Sequence, residues 1–334
     1  MYHVKQTPEI SVAPMLDWTD RHCRVFLRSF APHVRLYTEM VTTGAIIFGD
    51  RDRYLAFSPS EHPVALQLGG SDPAHLGQCA AIGADYGYDE INLNCGCPSD
   101  RVQNGAFGAC LMKDPGRVGD CVSNMINAAQ DTEITVKCRI GVDECVDEEF
   151  LHAFVKSIHE AGCRKVIIHA RKAWLKGLSP KENREIPPLR YDIAAGIKTA
   201  FPDMRVIVNG GIKTLAETQS HLDTFDGVMI GREAYQNPWV LTEIEQALYG
   251  HPTTASRADI ARAMIPYIEE RRATGTPVKS ITRHMLGLYQ GQRGGRVWRR
   301  ILSTEAHLPG TTGAIIETAL AAVDQAVGPE WIAA

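Results

Sequence analysis

The run Asn94-Cys95-Gly96-Cys97-Pro98 sets a cysteine on a loop shaped by glycine and proline, directly after a short apolar segment. A free thiol titrates near about 8.5, so at neutral pH Cys97 carries its proton yet can surrender it. That suits an acid protonating a carbanion-like carbon opposite a hydride donor, whereas a nucleophile would need the thiolate. Zinc fits poorly, because Cys95 and Cys97 form a CxC pair with no second pair to match, and no metal is expected. Lys137, in Val136-Lys137-Cys138-Arg139, can form a Schiff base, pair with a phosphate or stabilise an anionic ring system. Gln67 and Asn94 can satisfy the edge of a flat heteroaromatic ligand, and Met15 and Met40 offer polarizable faces for it to stack on. Asn209-Gly210-Gly211 and Gly231-Arg232 expose backbone N–H groups with no side chain in the way, and Arg232 adds a guanidinium that grips phosphate bidentately. Each of these segments alone is a tight turn; two such turns on adjacent strands, one ending in arginine, point to a phosphate. Flavin mononucleotide (FMN) would use the whole set: phosphate at the last two strands, isoalloxazine over the middle, Lys137 beside its electron-accepting pyrimidine end.

Eight short apolar runs rich in β-branched residues carry these groups, at 10–14, 35–40, 64–69, 90–94, 134–139, 165–170, 205–209 and 227–231. Each is near-continuously apolar, as in strands of a parallel sheet covered on both faces. Segments with helical spacing lie between most of them, at 74–84, 118–129, 148–161, 193–200 and 215–222. Asp72-Pro73 and Asp114-Pro115 read as N-caps followed by proline at the first helical position. Eight strands alternating with helices predict an α/β fold, a (β/α)8 TIM barrel, whose chemistry collects at the C-terminal strand ends. A doubly wound sheet is the alternative, but no GxGxxG follows the first strand. Beyond Pro238 the pattern turns wholly helical, with segments near 256–274, 278–290, 296–303 and 312–326. The expected division is a catalytic, flavin-binding barrel at 1–249 and an all-α domain at 250–334, joined near 249–255.

The chain has 334 residues, 44 % hydrophobic and 22 % charged, with a net charge of −4. That balance excludes disorder over most of the length. No apolar run approaches the ~18 residues of a membrane span, and nine cysteines in irregular positions do not form a disulfide scaffold. A soluble cytoplasmic protein is expected. The charge is uneven: between Arg257 and Arg300 ten Lys or Arg face only Asp259, Glu269 and Glu270. A basic segment on an acidic body is either a polyanion-binding appendage or a solvated helical face, and charge alone favours the second.

Taken in order, these residues resemble the tRNA-dihydrouridine synthases, most closely their A-type bacterial branch. The matching blocks are Ala13-Pro14-Met15, Gln67-Leu68-Gly69-Gly70, Asn92 to Pro98, Val136 to Gly141, His169-Ala170-Arg171, Asn209 to Ile212 and Gly231-Arg232, with 171–189, 282–290 and Trp298-Arg299-Arg300 closer to the A-type branch. The resemblance implies a flavin barrel with a helical tRNA-binding domain and NADPH or NADH as electron donor; a monomer is expected. By that analogy Pro14, Met15, Leu16, Gln67, Lys137, His169, Asn209, Gly210, Gly211, Gly231 and Arg232 hold FMN. Cys97 is then the acid that protonates C5 of a uridine while hydride reaches C6. Asn94, Lys181, Arg184, Arg296 and Arg299 contact tRNA in its D-loop and elbow region, with uridines 20 and 20a as targets. A uridine inside folded tRNA must be flipped out to reach a barrel mouth, and a basic helical segment can grip phosphates without reading sequence.

Three other readings compete on the residues alone. An FMN barrel reducing a small free pyrimidine needs no basic appendage. An aldolase-like barrel makes Lys137 a Schiff-base nucleophile. A tRNA-binding protein without turnover keeps its affinity for tRNA when flavin and Cys97 are lost.

Overall fold

The computed structural model describes residues 7–99, 105–145, 148–250 and 255–327. Within them the chain divides into two compact units, residues 7–17 with 35–231, and residues 18–34 with the described part of 232–327.

The first unit is the expected barrel. Its strands are β1 (Glu9–Val12), β2 (Arg35–Thr42), β3 (Val64–Gly69), β4 (Glu90–Cys95), β5 (Glu133–Arg139), β6 (Lys165–His169), β7 (Arg205–Asn209) and β8 (Gly227–Ile230). They pair in chain order and close through a parallel β1–β8 ladder. Helices connect most of them, and Asp72 and Asp114 cap the helices Pro73–Asp85 and Pro115–Ala129 as expected, each accepting a backbone N–H. Aspartate side chains also tie strand starts to neighbouring turns, Asp89 accepting from Val64 and Asp226 from Val206.

Strand side chains alternate between the barrel lumen and the surrounding helices. Lys165 on β6 reaches Glu9 on β1 and Glu90 on β4, strands that do not neighbour its own, so these side chains cross the lumen. Glu9, Arg35, Glu90, Glu133, Lys165 and Arg205, each the first residue of its strand, form a charged floor. The Lys165 amine sits 2.7 Å from Glu90, 2.6 Å from Glu133 and 3.0 Å from Glu9. Burial pushes the Glu90 carboxyl upward, but Lys165 and Arg35 outweigh it and hold the pKa below the usual carboxylate value. Above the floor lies a layer with Tyr37, Ala65, Ile167, Ile207 and Met229, all inaccessible to solvent.

The second unit is helical and differs in extent from the expected 250–334. Helix Trp239–Tyr249 and the segment Trp18–Val34 belong with it. Hydrogen bonds hold that grouping together: Glu245 accepts from the backbone N–H groups of His33 and Val34, while Arg283 donates to Asp20 and the His284 ring lies 3.0 Å from it. Pairings that span more than two hundred residues of sequence leave no local trace. The expected 256–274 helix is two, Arg257–Ala263 and Ile265–Ala273, with Pro266 in the first turn of the second. The 278–290 helix stops at Thr282 and gives way to a 3-10 turn at Arg283–Met285, where His284 turns inward. Residues 251–254, within the expected linker, lie outside the described residues. No helix among the described residues is long and apolar enough to cross a membrane.

Candidate functional site

The alternation that sends the charged floor into the lumen sends a second layer to the opposite end. Gln67, Asn94, Lys137, Arg139, His169 and Asn209 lie an even number of residues along their strands from lumen-facing positions, so they gather where the strands end. Ladder pairing aligns Asn94 with Lys137, Arg139 with His169, and His169 with Asn209.

Lys137 donates to Asn209 Oδ1 at 3.2 Å, and Asn209 in turn donates to the Met229 carbonyl at 2.7 Å. Burial drives the Lys137 pKa down to about 8, and the nearby Arg139 guanidinium adds to the fall. Arg139 itself is 4 % exposed and bound by backbone carbonyls: Gly96 at 3.1 Å, Lys172 at 3.1 Å and Asn183 at 2.8 Å. Burial, with Arg184 and Arg171 adding to it, lowers its pKa to about 10 even though Cys97 opposes the fall. His169 is pushed well below its ordinary value by burial, Arg139 and Lys137, so its imidazole is neutral at pH 7. Cations collected at the strand ends, with backbone carbonyls and an amide as their partners, make a site prepared for an anion or an electron-rich ring.

Cys97 is half-buried on the loop after β4, its Sγ 3.4 Å from Ser99 Oγ. Three contacts fix its backbone. Asn94 Oδ1 accepts from the N–H groups of Gly96 and Cys97 at 3.1 and 3.0 Å, and the Cys97 carbonyl accepts from Ala109 at 2.9 Å. Arg139 holds the Gly96 carbonyl from the other side. The same arginine reaches the loop of residues 172–183, which Asn183 closes by bonding Trp174 through both its amide atoms. Lys181 and Arg184 stand exposed at either end of the short turn around buried Asn183.

At the mouth, Pro14 and Met15 are half-exposed and Leu16 is 63 % exposed, an apolar lip after β1. Gly210 and Gly211 take φ values of +116° and +77°, which a side chain would strain, and a Cβ on Gly210 would strike the His169 ring at 2.6 Å. A Cβ on Gly231 would meet nothing within 4 Å, so open space adjoins its backbone. His169, Leu189 and Tyr191 pack against Gly210 and Gly211, so the open backbone is that of Gly231; with amides and cations across the middle and an apolar lip at β1, these features fit a flat ring with a phosphate tail. Arg232 follows directly as the first residue of helix Arg232–Gln236 and belongs to the second unit. Arg296 and Arg299 lie on the exposed side of helix Gly295–Thr304, whose Trp298, Ile301 and Leu302 are buried. Arg299 donates to Gln290 at 3.0 Å.

Sequence reasoning names Arg139 at a strand end without giving it a task. Its role in joining two loops has no local signature, because its acceptors are backbone carbonyls from three different places in the chain.

A family profile described as dihydrouridine synthase matches residues 11–324. The tRNA-dihydrouridine(20/20a) synthase of Escherichia coli K12 is 57 % identical over 312 residues, covering 93 % of this chain and 90 % of that protein. The protein of the same name from Xanthomonas campestris is 56 % identical over 310 residues, 93 % of this chain and 92 % of its own. Among solved structures, an old yellow enzyme homologue from Zymomonas mobilis shares the fold, with a TM-score of 0.53 and 13 % identity over 74 % of this chain and 90 % of that one.

Proposed function

The chain belongs to the dihydrouridine synthase family, and on that premise we propose that it reduces the C5–C6 double bond of uridines in tRNA to 5,6-dihydrouridine. The observation that carries this reading is the fixed Cys97 loop beside a cluster of cations on the lumen side of the barrel mouth. The cofactor is FMN, reduced by NADPH with NADH as the alternative donor; when bound it supplies hydride to C6. Pro14, Met15, Leu16, Gln67, Lys137 and His169 would hold its ring, and Gly210, Gly211, Gly231 and Arg232 would hold its phosphate through backbone N–H groups and a guanidinium. Asn209 holds the Lys137 amine in place, and that amine still carries its proton at pH 7.

Cys97 gives its proton to C5, which completes the addition of one hydride and one proton across the double bond. Asn94 holds the flipped-out base, while Lys181, Arg184, Arg296 and Arg299 contact tRNA phosphates in the D-loop and elbow region, delivering uridines 20 and 20a. The barrel is the catalytic, flavin-binding part, the helical unit the tRNA-binding part, and the enzyme works as a cytoplasmic monomer.

The test is an anaerobic one. The purified protein with FMN is reduced by NADPH, and flavin absorbance is followed after adding unmodified tRNA or free uridine. Reoxidation by tRNA alone is expected; reoxidation by free pyrimidine would replace the RNA substrate with a small metabolite, and absence of any flavin spectrum would overturn the assignment.

A further inference from the structure

One side of the barrel lumen carries an unbroken series of hydrogen bonds from the charged floor to the Cys97 loop. Thr135 Oγ1 donates to Glu90 Oε1 at 2.5 Å, Asn92 Nδ2 to Thr135 Oγ1 at 2.8 Å, and Gln67 Nε2 to Asn92 Oδ1 at 2.8 Å. Asn94 Nδ2 then donates to Gln67 Oε1 at 2.8 Å, and Asn94 Oδ1 receives the N–H groups of Gly96 and Cys97. Glu90, Asn92 and Thr135 are wholly buried and Gln67 is 1 % exposed, so water does not compete for the bonds among these four, while Asn94 is half-buried. The direction of every bond is forced by the two ends. Backbone N–H groups can only donate, which turns the Asn94 oxygen toward the loop. An ionised carboxylate can only accept, and Lys165 at 2.7 Å keeps Glu90 ionised. An amide flipped anywhere between would set donor against donor or oxygen against oxygen.

We propose that Thr135 and Asn92 are positioning residues for the reaction: through this one-way series, anchored on Glu90, they fix the amide orientation of Gln67 and Asn94 and the backbone of the Cys97 loop. The proposal rests on the tRNA-reductase reading for its catalytic consequence, not for the geometry itself. With its oxygen committed to two backbone donors and one N–H given to Gln67, Asn94 keeps, among the described residues, a single free valence, an N–H. The group it meets in the mouth must therefore be an acceptor, such as a carbonyl oxygen. Thr135 touches neither end of the reaction and acts only by fixing what does.

Thr135→Val keeps the shape of the side chain and removes both its donor and its acceptor, while Thr135→Ser keeps the hydroxyl. In flavin-free protein, the rate of Cys97 alkylation by iodoacetamide, read by peptide mass spectrometry with exposed Cys145 as internal reference, is expected to change at least threefold in the valine variant and to return in the serine variant. In FMN-loaded protein, reoxidation by tRNA should slow about tenfold or more, the scale of one buried hydrogen bond, with reduction by NADPH less affected. Should Thr135→Val not fold, Asn92→Leu cuts the series at the next link and carries the same expectations. Wild-type alkylation and reoxidation rates in a folded valine variant would overturn the proposal. So would a serine variant that fails to restore them, since the effect would then be packing. If wild-type protein is not reoxidised by tRNA, the functional reading fails alone, and the alkylation rates still decide on the positioning role.

Discussion

Lys137 is expected to lower the stability of the flavin-free protein, and Lys137→Met should reveal it. Burial, with Arg139 adding to it, lowers this amine from 10.5 to about 8. At 1.36 kcal/mol per pH unit, that fall corresponds to about 3 kcal/mol of unfavourable folding free energy while the amine is charged in both states. Methionine removes the charge and keeps the stem, but leaves Asn209 Oδ1 without its donor, which costs about 1 kcal/mol. The net expectation at pH 7 is a variant more stable by about 2 kcal/mol, or a few degrees in Tm. Between about 8 and 10.5 the unfolded lysine holds its proton more often than the folded one, so wild-type stability rises with pH through that window. Lys137→Met lacks this rise, and its advantage should shrink from pH 7 to pH 9.5. On the proposed assignment, FMN should reverse the order. A ligand at a hundred times its Kd adds about 2.7 kcal/mol, and the variant that lacks the amine should gain far less. Thermal melts of both proteins at pH 7 and 9.5, with and without FMN, measure all of this. A variant no more stable than wild type at pH 7, or an advantage that does not change by pH 9.5, would refute the account of Lys137 as a charge held at a cost until its ligand arrives.

Cys97→Ala should bind FMN and tRNA as wild type does and lose tRNA reduction by about 10²–10⁴-fold, the range for removing a positioned acid; single-turnover reoxidation measures it, and a variant of wild-type speed would remove the thiol from the reaction. Arg139→Lys keeps a charge but not the fork that reaches the Gly96, Lys172 and Asn183 carbonyls. Tryptic cleavage at exposed Lys176 and Lys181 should accelerate severalfold, and an unchanged digest would show that the loop is held by Asn183 alone. Replacing Arg296 and Arg299 together with Ala should weaken tRNA binding and reduce its salt slope by about 2, roughly one per phosphate contact; an unchanged slope would move the tRNA footprint elsewhere.

What was readable in the sequence, and what was not, follows from the range over which each feature acts. Buried parallel strands write themselves as short apolar runs, and a parallel barrel places its chemistry at one end of every run. Lys137, His169 and Asn209 can therefore be found by reading where runs stop. The division between units is another matter, because Asp20 meets His284 and His33 meets Glu245 across most of the chain. Nothing near either residue announces the other, so a boundary drawn where strands cease falls beyond helix Trp239–Tyr249.

The lumen series was hidden by the reading that found the strands. Treating 90–94 as a continuously apolar run passes over the alternation in Glu90-Ile91-Asn92-Leu93-Asn94, where every second residue is polar. In a strand, that period puts three polar side chains on one face. A polar face inside a closed barrel is expensive unless each group finds a partner. The partners, Thr135, Gln67 and Tyr37, are inward residues of three other strands, and register alone decides that they meet. The sequence thus contains the demand for a network but not its wiring. On the proposed mechanism the wiring bears on catalysis, because a run of amides with one permitted direction carries the fixed polarity of a carboxylate at the floor to the backbone that holds Cys97.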